Sequence, residues 1–426
     1  MRSIFAAAII GFLLLSACNK EEEFLPDSLS CKGCNIVVIT MDSLRADRLG
    51  CYGYPLSTSP NIDKFAEKSI IFSDATSICG STFCAIPALM TSKYPYTDNL
   101  MEGLRLKQEA VTISEILRKE GYDTRGVVTV SLVNSESGNM QGFDYYDDIF
   151  IEYEPAKITR RRAEKSLENA VEPFFIWVHF WQPHEPYTPS SYSRTIIEAQ
   201  SRLFGNIDEN KNKEPSTFRI YGLDTSKEIV EKQNRRKENL KNLSIMYDAS
   251  IYDVDNEVGK FLKKLEPFKN RTIIIITSDH GELLGEYEAV SHNNLYYEGL
   301  HVPLIIHHPN NAHLVINKPI MSVDIVPTIL DMLEIKIDYS FRGENLFETN
   351  REFQYAEYSY GYAVKKGDVQ LIKFPEPIII NISDPTKRVQ NQKELIEELG
   401  SLAPKRNFTY NGVDEFELLR SIGYIG

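Results

Sequence analysis

Runs of consecutive apolar, mostly β-branched residues punctuate the first three quarters of the chain. Asn35-Ile36-Val37-Val38-Ile39-Thr40-Met41 has no polar alternation and ends at Asp42, which predicts a strand buried on both faces, as in a parallel sheet. Similar runs lie at 126–130, 174–180, 272–277 and 303–307. Between them the apolar spacing turns helical, at 112–120 and at 247–265. In the second of these, Ile251, Val254, Val258, Phe261 and Leu262 share one face. Strands alternating with helices in this way predict an α/β sandwich around a mainly parallel sheet.

Two stretches break the rhythm. Residues 189–245 are rich in Lys, Glu, Asn and Arg and read as a partly helical surface insertion, a solvated excursion or a shaper of substrate choice. From about residue 338, short segments at 370–374 and 378–382 are separated by turn residues such as Ser383-Asp384-Pro385. They predict a small antiparallel sheet with a helix. The expected organisation is a main domain over 35–337 and a smaller unit over 338–426.

The N-terminal end reads differently. Arg2 and the short apolar stretch 4–15 precede Ser16, Ala17 and Cys18. That stretch is too short to span a bilayer and predicts a cleavable signal over 1–17. Leu15-Ser16-Ala17-Cys18 resembles the lipobox of bacterial lipoproteins. The resemblance implies a lipidated Cys18, a flexible leader over 18–34 and a place at the cell envelope, with the membrane as a partner through the lipid.

Composition narrows the function. A formal net charge of −13 argues against a general nucleic-acid binder. It leaves room for an anionic substrate, since a cation can dominate the field inside a pocket. Of the six cysteines, Cys31 and Cys34 have the C-x-x-C spacing. No second pair nearby completes a zinc site, which leaves a local disulfide or two inert thiols. With Cys18 lipidated, at most two disulfides can form and one thiol is left over.

Acidic residues stand where open α/β sheets keep their sites, after strand ends. Asp42 closes the first run, and Asp279-His280-Gly281-Glu282 follows the run at 272–277. A single Asp there is as a rule a helix cap or turn former. Adjacent ligand-type side chains followed by Gly suit a tight loop around a cation.

Taken in order, several segments resemble the sulfatase family of the alkaline phosphatase superfamily. They are Asp42-Ser43-Leu44-Arg45-Ala46-Asp47, Thr58-Ser59-Pro60-Asn61-Ile62-Asp63, the stretch 82–95, His184-Glu185-Pro186-Tyr187, and Thr277-Ser278-Asp279-His280-Gly281-Glu282. The resemblance implies an alkaline-phosphatase-like fold and a metal-dependent hydrolase or transferase of anionic esters. It also implies ligands at Asp42, Thr82, Asp279 and His280. Thr91-Ser92 stands for the family's Thr-Gly pair, and counting back ten residues puts Thr82 at the nucleophile position.

This is a departure from true sulfatases, which mature a Cys or Ser there to formylglycine. Cys84 and Ile86 replace the Pro and Arg of their motif. A hydroxyl nucleophile activated by a cation suits phosphoester chemistry. Ser43 stands where calcium-binding relatives keep a second Asp, which shifts the expected cation from Ca²⁺ toward Mn²⁺, Zn²⁺ or Mg²⁺. Cys79 and Cys84 flank Thr82 and are spaced for a small bracing disulfide. The resemblance places His184 at the leaving group and His292 where relatives keep a residue that binds substrate or a second metal. His179, inside a strand, reads as buried and structural; Arg45 and Asp47 read as loop braces. Two other readings compete: a sulfuric ester hydrolase acting on glycans, and a binding protein without turnover. The partner in each case is a small-molecule, glycan or lipid ester.

Overall fold

The structure is a computed structural model that describes residues 25–405 apart from 27, 150–153, 205–226, 375, 386 and 388. The expected signal segment and Cys18 therefore lie outside the described residues. Eight strands form the central sheet. They are β1 (Asn35–Met41), β2 (Ile70–Thr76), β3 (Asp123–Val128), β4 (Tyr145–Asp147), β5 (Phe174–Phe180), β6 (Thr272–Ser278), β7 (His301–His307) and β8 (Leu314–Met321). Their spatial order is β8-β2-β7-β6-β1-β5-β3-β4. Of these, β7 alone runs antiparallel to its neighbours, β2 and β6; every other pairing is parallel.

The two-residue period of a strand explains why β1 carries no polar alternation. Ile36 and Val38 point into one apolar layer, Val37, Ile39 and Met41 into the other. β6 divides its isoleucines in the same way, with Ile273 and Ile275 on one side and Ile274 and Ile276 on the other. Both faces are covered by helices, so both need apolar side chains. The helices are α1 (Pro60–Ala66), α2 (Thr82–Thr91), α3 (Ile113–Lys119), α4 (Ala156–Glu168), α5 (Ser191–Phe204), α6 (Lys227–Leu265), α7 (Ile325–Met332) and α8 (Gln392–Leu402). Among the described helices none is long and apolar enough to cross a membrane.

The sequence-derived helices sit where expected. Thr112 caps α3 in a reciprocal capping box with Glu115. The stripe Ile251, Val254, Val258 and Phe261 is fully buried against the sheet. That helix starts twenty residues before the expected position 247, at Lys227, because the upstream turns lack the periodicity that a packed face imposes.

Residues 354–381 form a four-stranded antiparallel sheet of β9 (Gln354–Glu357), β10 (Tyr362–Lys366), β11 (Val369–Lys373) and β12 (Pro377–Asn381), with α8 packed on it. This sheet is bound to the main one through the segment that precedes α2: the Glu357 amide donates to the Ile78 carbonyl at 2.7 Å. The Glu357 carboxylate in turn accepts from the amides of Tyr96 and Thr97 at 2.7 and 3.0 Å.

One carboxylate joins the layers on the opposite face. Asp255 of α6 accepts from the amides of Asn61 and Ile62 at 3.0 and 2.8 Å and from the Asn61 side chain at 2.7 Å. It thereby satisfies donors that the first turn of α1 cannot pair internally. Asp255→Ala is expected to destabilise the fold by about 1–3 kcal/mol, read as a lower denaturant midpoint with an unchanged slope. An unchanged midpoint would mean that water replaces the carboxylate at no cost.

Candidate active site

Parallel register fixes the first two carboxylates. Met41 of β1 lies opposite both Phe180 of β5 and Ser278 of β6, so Asp42 and Asp279 emerge side by side at the carboxyl edge of the sheet. Both are almost wholly buried. The turn after β1 is shaped to hold them: Ser43 takes a left-handed φ of 63°, directing its amide to Asp279 Oδ1 at 3.2 Å and its hydroxyl to Asp42 Oδ1 at 3.0 Å. The Leu44 amide donates to Ser278 Oγ at 3.0 Å. Tyr247 of α6 donates to the Ser43 carbonyl at 2.7 Å and accepts from the Arg45 amide at 3.0 Å.

Arg45 is buried and faces away from the carboxylate pair. Its guanidinium holds Asp47, Glu286 and the Glu282 carbonyl, each at 2.9 Å. It links the loop after β1 to the loop after β6.

Thr82 opens α2 and is fully buried. Its hydroxyl lies 3.4 Å from Asp42 Oδ2 and 3.3 Å from His280 Nε2. His280 Nε2 is also 3.5 Å from Asp42 Oδ1 and 3.6 Å from Asp279 Oδ2. Donor atoms that share one tetrahedral cation at about 2.1 Å stand roughly 3.4 Å apart, and these separations match. The His280 Nδ1–H donates to the Gly281 carbonyl at 2.9 Å, which leaves the Nε2 lone pair turned toward the carboxylates. Asp279 Oδ2 is buried without a hydrogen-bond partner, a costly arrangement unless a cation completes it. Residues present and donor chemistry thus fit a divalent ion.

Two further histidines wall the same space. The rings of His280 and His292 are stacked with centroids 5.0 Å apart, and His292 lies 4.6 Å from His184. Trp181 packs against His184 at 4.2 Å, and the His184 Nδ1 contacts the Glu185 carbonyl. The His292 Nδ1 faces Glu282 Oε2 at 3.4 Å. All six residues singled out from the sequence therefore converge on one buried space.

His179 also reaches it. Expected as a buried structural residue, it is fully buried, and it offers one nitrogen to the same space as Asp42 and Asp279, the three ligand-type atoms lying within 4.8 Å of one another. Its proximity follows from the pairing of Thr40 with His179, which no sequence spacing reveals. Glu282 was visible within its motif but carried no assigned role.

Burial and neighbouring charge act against each other here. Burial pushes the Asp42 carboxyl up, yet the charges of His184 and His280 and contact with His179 outweigh it and hold the group below its ordinary range. Burial lowers His280, but Asp279 and Asp42 bring it above the usual imidazole value. His184 is lowered by burial. His292 falls to about 4 through burial and the adjacent His280. Burial raises Glu282 to about 7.

The segment before α2 is clamped. The disulfide Cys79–Cys84 brackets Thr82, and a second joins Cys31 to Cys34; Cys51 keeps its thiol. The Gly80 carbonyl accepts from the Asn293 amide at 2.7 Å, and a Cβ on Gly80 would stand 2.2 Å from the Asn294 carbonyl oxygen. Ser92, at the end of α2, takes the left-handed conformation with φ 52°, which suits the glycine of the family's pair.

Residues 34–335 match the family model described as Sulfatase. The ulvan-active sulfatase of Formosa agariphila is 26% identical over 80% of this chain and 70% of its own. The N-acetylglucosamine-6-O-sulfatase of Bacteroides thetaiotaomicron is 23% identical over 96% and 92%. Among solved structures, a protein in complex with its substrate D-glucosamine-2-N,6-O-disulfate superposes with a TM-score of 0.69 at 20% identity, covering 87% of this chain and 97% of that one. The phosphonate monoester hydrolase of Agrobacterium radiobacter superposes with a TM-score of 0.66 at 17% identity, covering 91% and 96%.

Metal analysis tests the site. His280→Ala and Asp279→Asn are each expected to weaken Mn²⁺ binding by more than about 100-fold, measured by equilibrium dialysis with elemental analysis. Retention of the ion at wild-type affinity in both would remove the site from these residues.

Proposed function

Because the chain belongs to the sulfatase family, we propose that it is a divalent-metal-dependent hydrolase of phosphate or phosphonate esters that uses Thr82 as nucleophile. The observation that carries this reading is Thr82 itself. Its hydroxyl is the side chain at the start of α2 that meets Asp42 and His280, while Cys84, a conceivable precursor of formylglycine, is tied to Cys79. A threonine has no route to a formylglycine hydrate, but its oxygen can form and break a bond to phosphorus.

Asp42, Thr82, Asp279 and His280 would hold the ion, with Mn²⁺, Zn²⁺ or Mg²⁺ preferred to Ca²⁺. Bound there, it would lower the hydroxyl's pKa and draw off charge from the ester oxygens. Thr82 releases its proton to solvent water and attacks phosphorus, forming the Oγ–P bond as the bond to the leaving oxygen breaks. His184 gives a proton to that oxygen. Burial, with His292 beside it, keeps this ring low, and the anion of a bound ester would act to raise it. His292 faces a nonreacting ester oxygen, with Glu282 behind it. Water then attacks phosphorus and gives its proton to His184, and the Oγ–P bond breaks as Thr82 takes a proton back from solvent water. An acceptor hydroxyl in place of water would make the reaction a transfer.

A second reading draws on the two curated relatives, both named as sulfatases: hydrolysis of sulfuric esters on a glycan. A lipidated Cys18 would hold either enzyme at the cell envelope, close to polymeric substrates; the Leu15-Ser16-Ala17-Cys18 run supports this placement.

A paired assay with metals varied separates the readings. Turnover of aryl phosphate or phosphonate esters is expected to exceed that of an aryl sulfate. Thr82→Ala should lower kcat by at least about 1,000-fold while leaving the fold intact by circular dichroism. Full turnover in Thr82→Ala, or a preference for the sulfate with a mass change in the peptide spanning Cys79 to Cys84, would reverse the choice.

A further inference from the structure

We infer that His179 is a ligand of the same divalent ion, which makes the site a two-imidazole, two-carboxylate centre selective for a borderline transition ion over Ca²⁺. This rests on the metal-dependent reading above but not on which ester is cleaved.

The ring's orientation is fixed from the side remote from the carboxylates. His179 Nδ1 lies 2.7 Å from Thr40 Oγ1, and Trp177 Nε1 donates to the same oxygen at 2.9 Å. That hydroxyl has two lone pairs and one proton. Its proton has an acceptor in the Val178 carbonyl at 3.4 Å, which leaves both lone pairs for the N–H groups of Trp177 and His179. Under this assignment His179 carries its proton on Nδ1, and Nε2 presents a lone pair.

That lone pair has no hydrogen-bond partner and no access to water. It stands 3.8 Å from Asp42 Oδ2, too far for a hydrogen bond. Buried polar atoms are rarely left in this state, and here Asp279 Oδ2 is left in it as well. Two orphaned acceptors and the Asp42 carboxylate turned toward one space call for a cation. An imidazole added to His280 moves the preference of the set away from hard Ca²⁺ and toward Mn²⁺ or Zn²⁺. Thr40 and Trp177 are positioning residues, since they act through the ring and not on the ion.

Pulsed electron paramagnetic resonance of the full chain, stripped with chelator and reloaded with Mn²⁺, counts the imidazole nitrogens bound to the ion. The wild type is expected to show two. His280→Ala should retain one, contributed by His179, and His179→Ala should retain one, contributed by His280. His179→Ala is also expected to weaken Mn²⁺ binding by about tenfold or more, with a smaller change for Ca²⁺. One nitrogen in the wild type, none in His280→Ala, or no Mn²⁺ uptake overturns the assignment. The wild-type count does not depend on any variant folding. A chain that cleaves only aryl sulfate yet shows two nitrogens keeps this inference and loses the phosphoester reading; one that cleaves phosphoesters with a single nitrogen does the reverse.

Discussion

Asp42 and Asp279 are both carboxylates, both out of water, and set beside each other by the parallel pairing of β1 with β6. With a ligand-type oxygen of each within 4.8 Å of the other, two such charges repel by on the order of 3 kcal/mol at an effective dielectric of about 20, before desolvation is counted. The fold does nothing to part them. It draws the Ser43 amide and hydroxyl toward one side of the pair and turns imidazoles toward the other. Much of what surrounds the site follows from the need to hold these two carboxylates side by side in a dry place. The left-handed turn at Ser43, the buried Arg45 tying two loops and the single-tautomer His280 all serve that end.

The arrangement divides labour between layers. Strand ends supply rigid acids, the start of α2 supplies a hydroxyl, and loops supply His184 and His292. A helix N-terminus favours negative charge, so the position of Thr82 at the start of α2 would suit the nucleophile proposed above. The alternative chemistry of the family needs a modified residue at this point, and the bracketing disulfide removes the nearest thiol from consideration.

The sequence made the sheet legible because a strand covered on both faces has no freedom to alternate, and the runs at 35–41 and 272–277 show it. The six candidate residues could be singled out because they sit in short motifs whose order along the chain resembles a known family. What could not be read was lateral order. Nothing in the spacing of Thr40 and His179 announces that β1 lies beside β5, so a histidine in the middle of an apolar run looked like packing. The α6 turns before Tyr247 fall in the stretch read as a partly helical insertion, because its many charged residues carry no regular apolar stripe.

The bond between the Glu357 amide and the Ile78 carbonyl has a temporal meaning. Ile78 lies in the segment that leads to Thr82, and Tyr358 and Tyr360, which follow Glu357, also reach Asn293 in the loop that carries His292. A ribosome makes that segment well before the sheet that buttresses it. A chain cut short before residue 354 would keep Asp42, Thr82 and Asp279 but lose the wall that packs against the segment leading to Thr82.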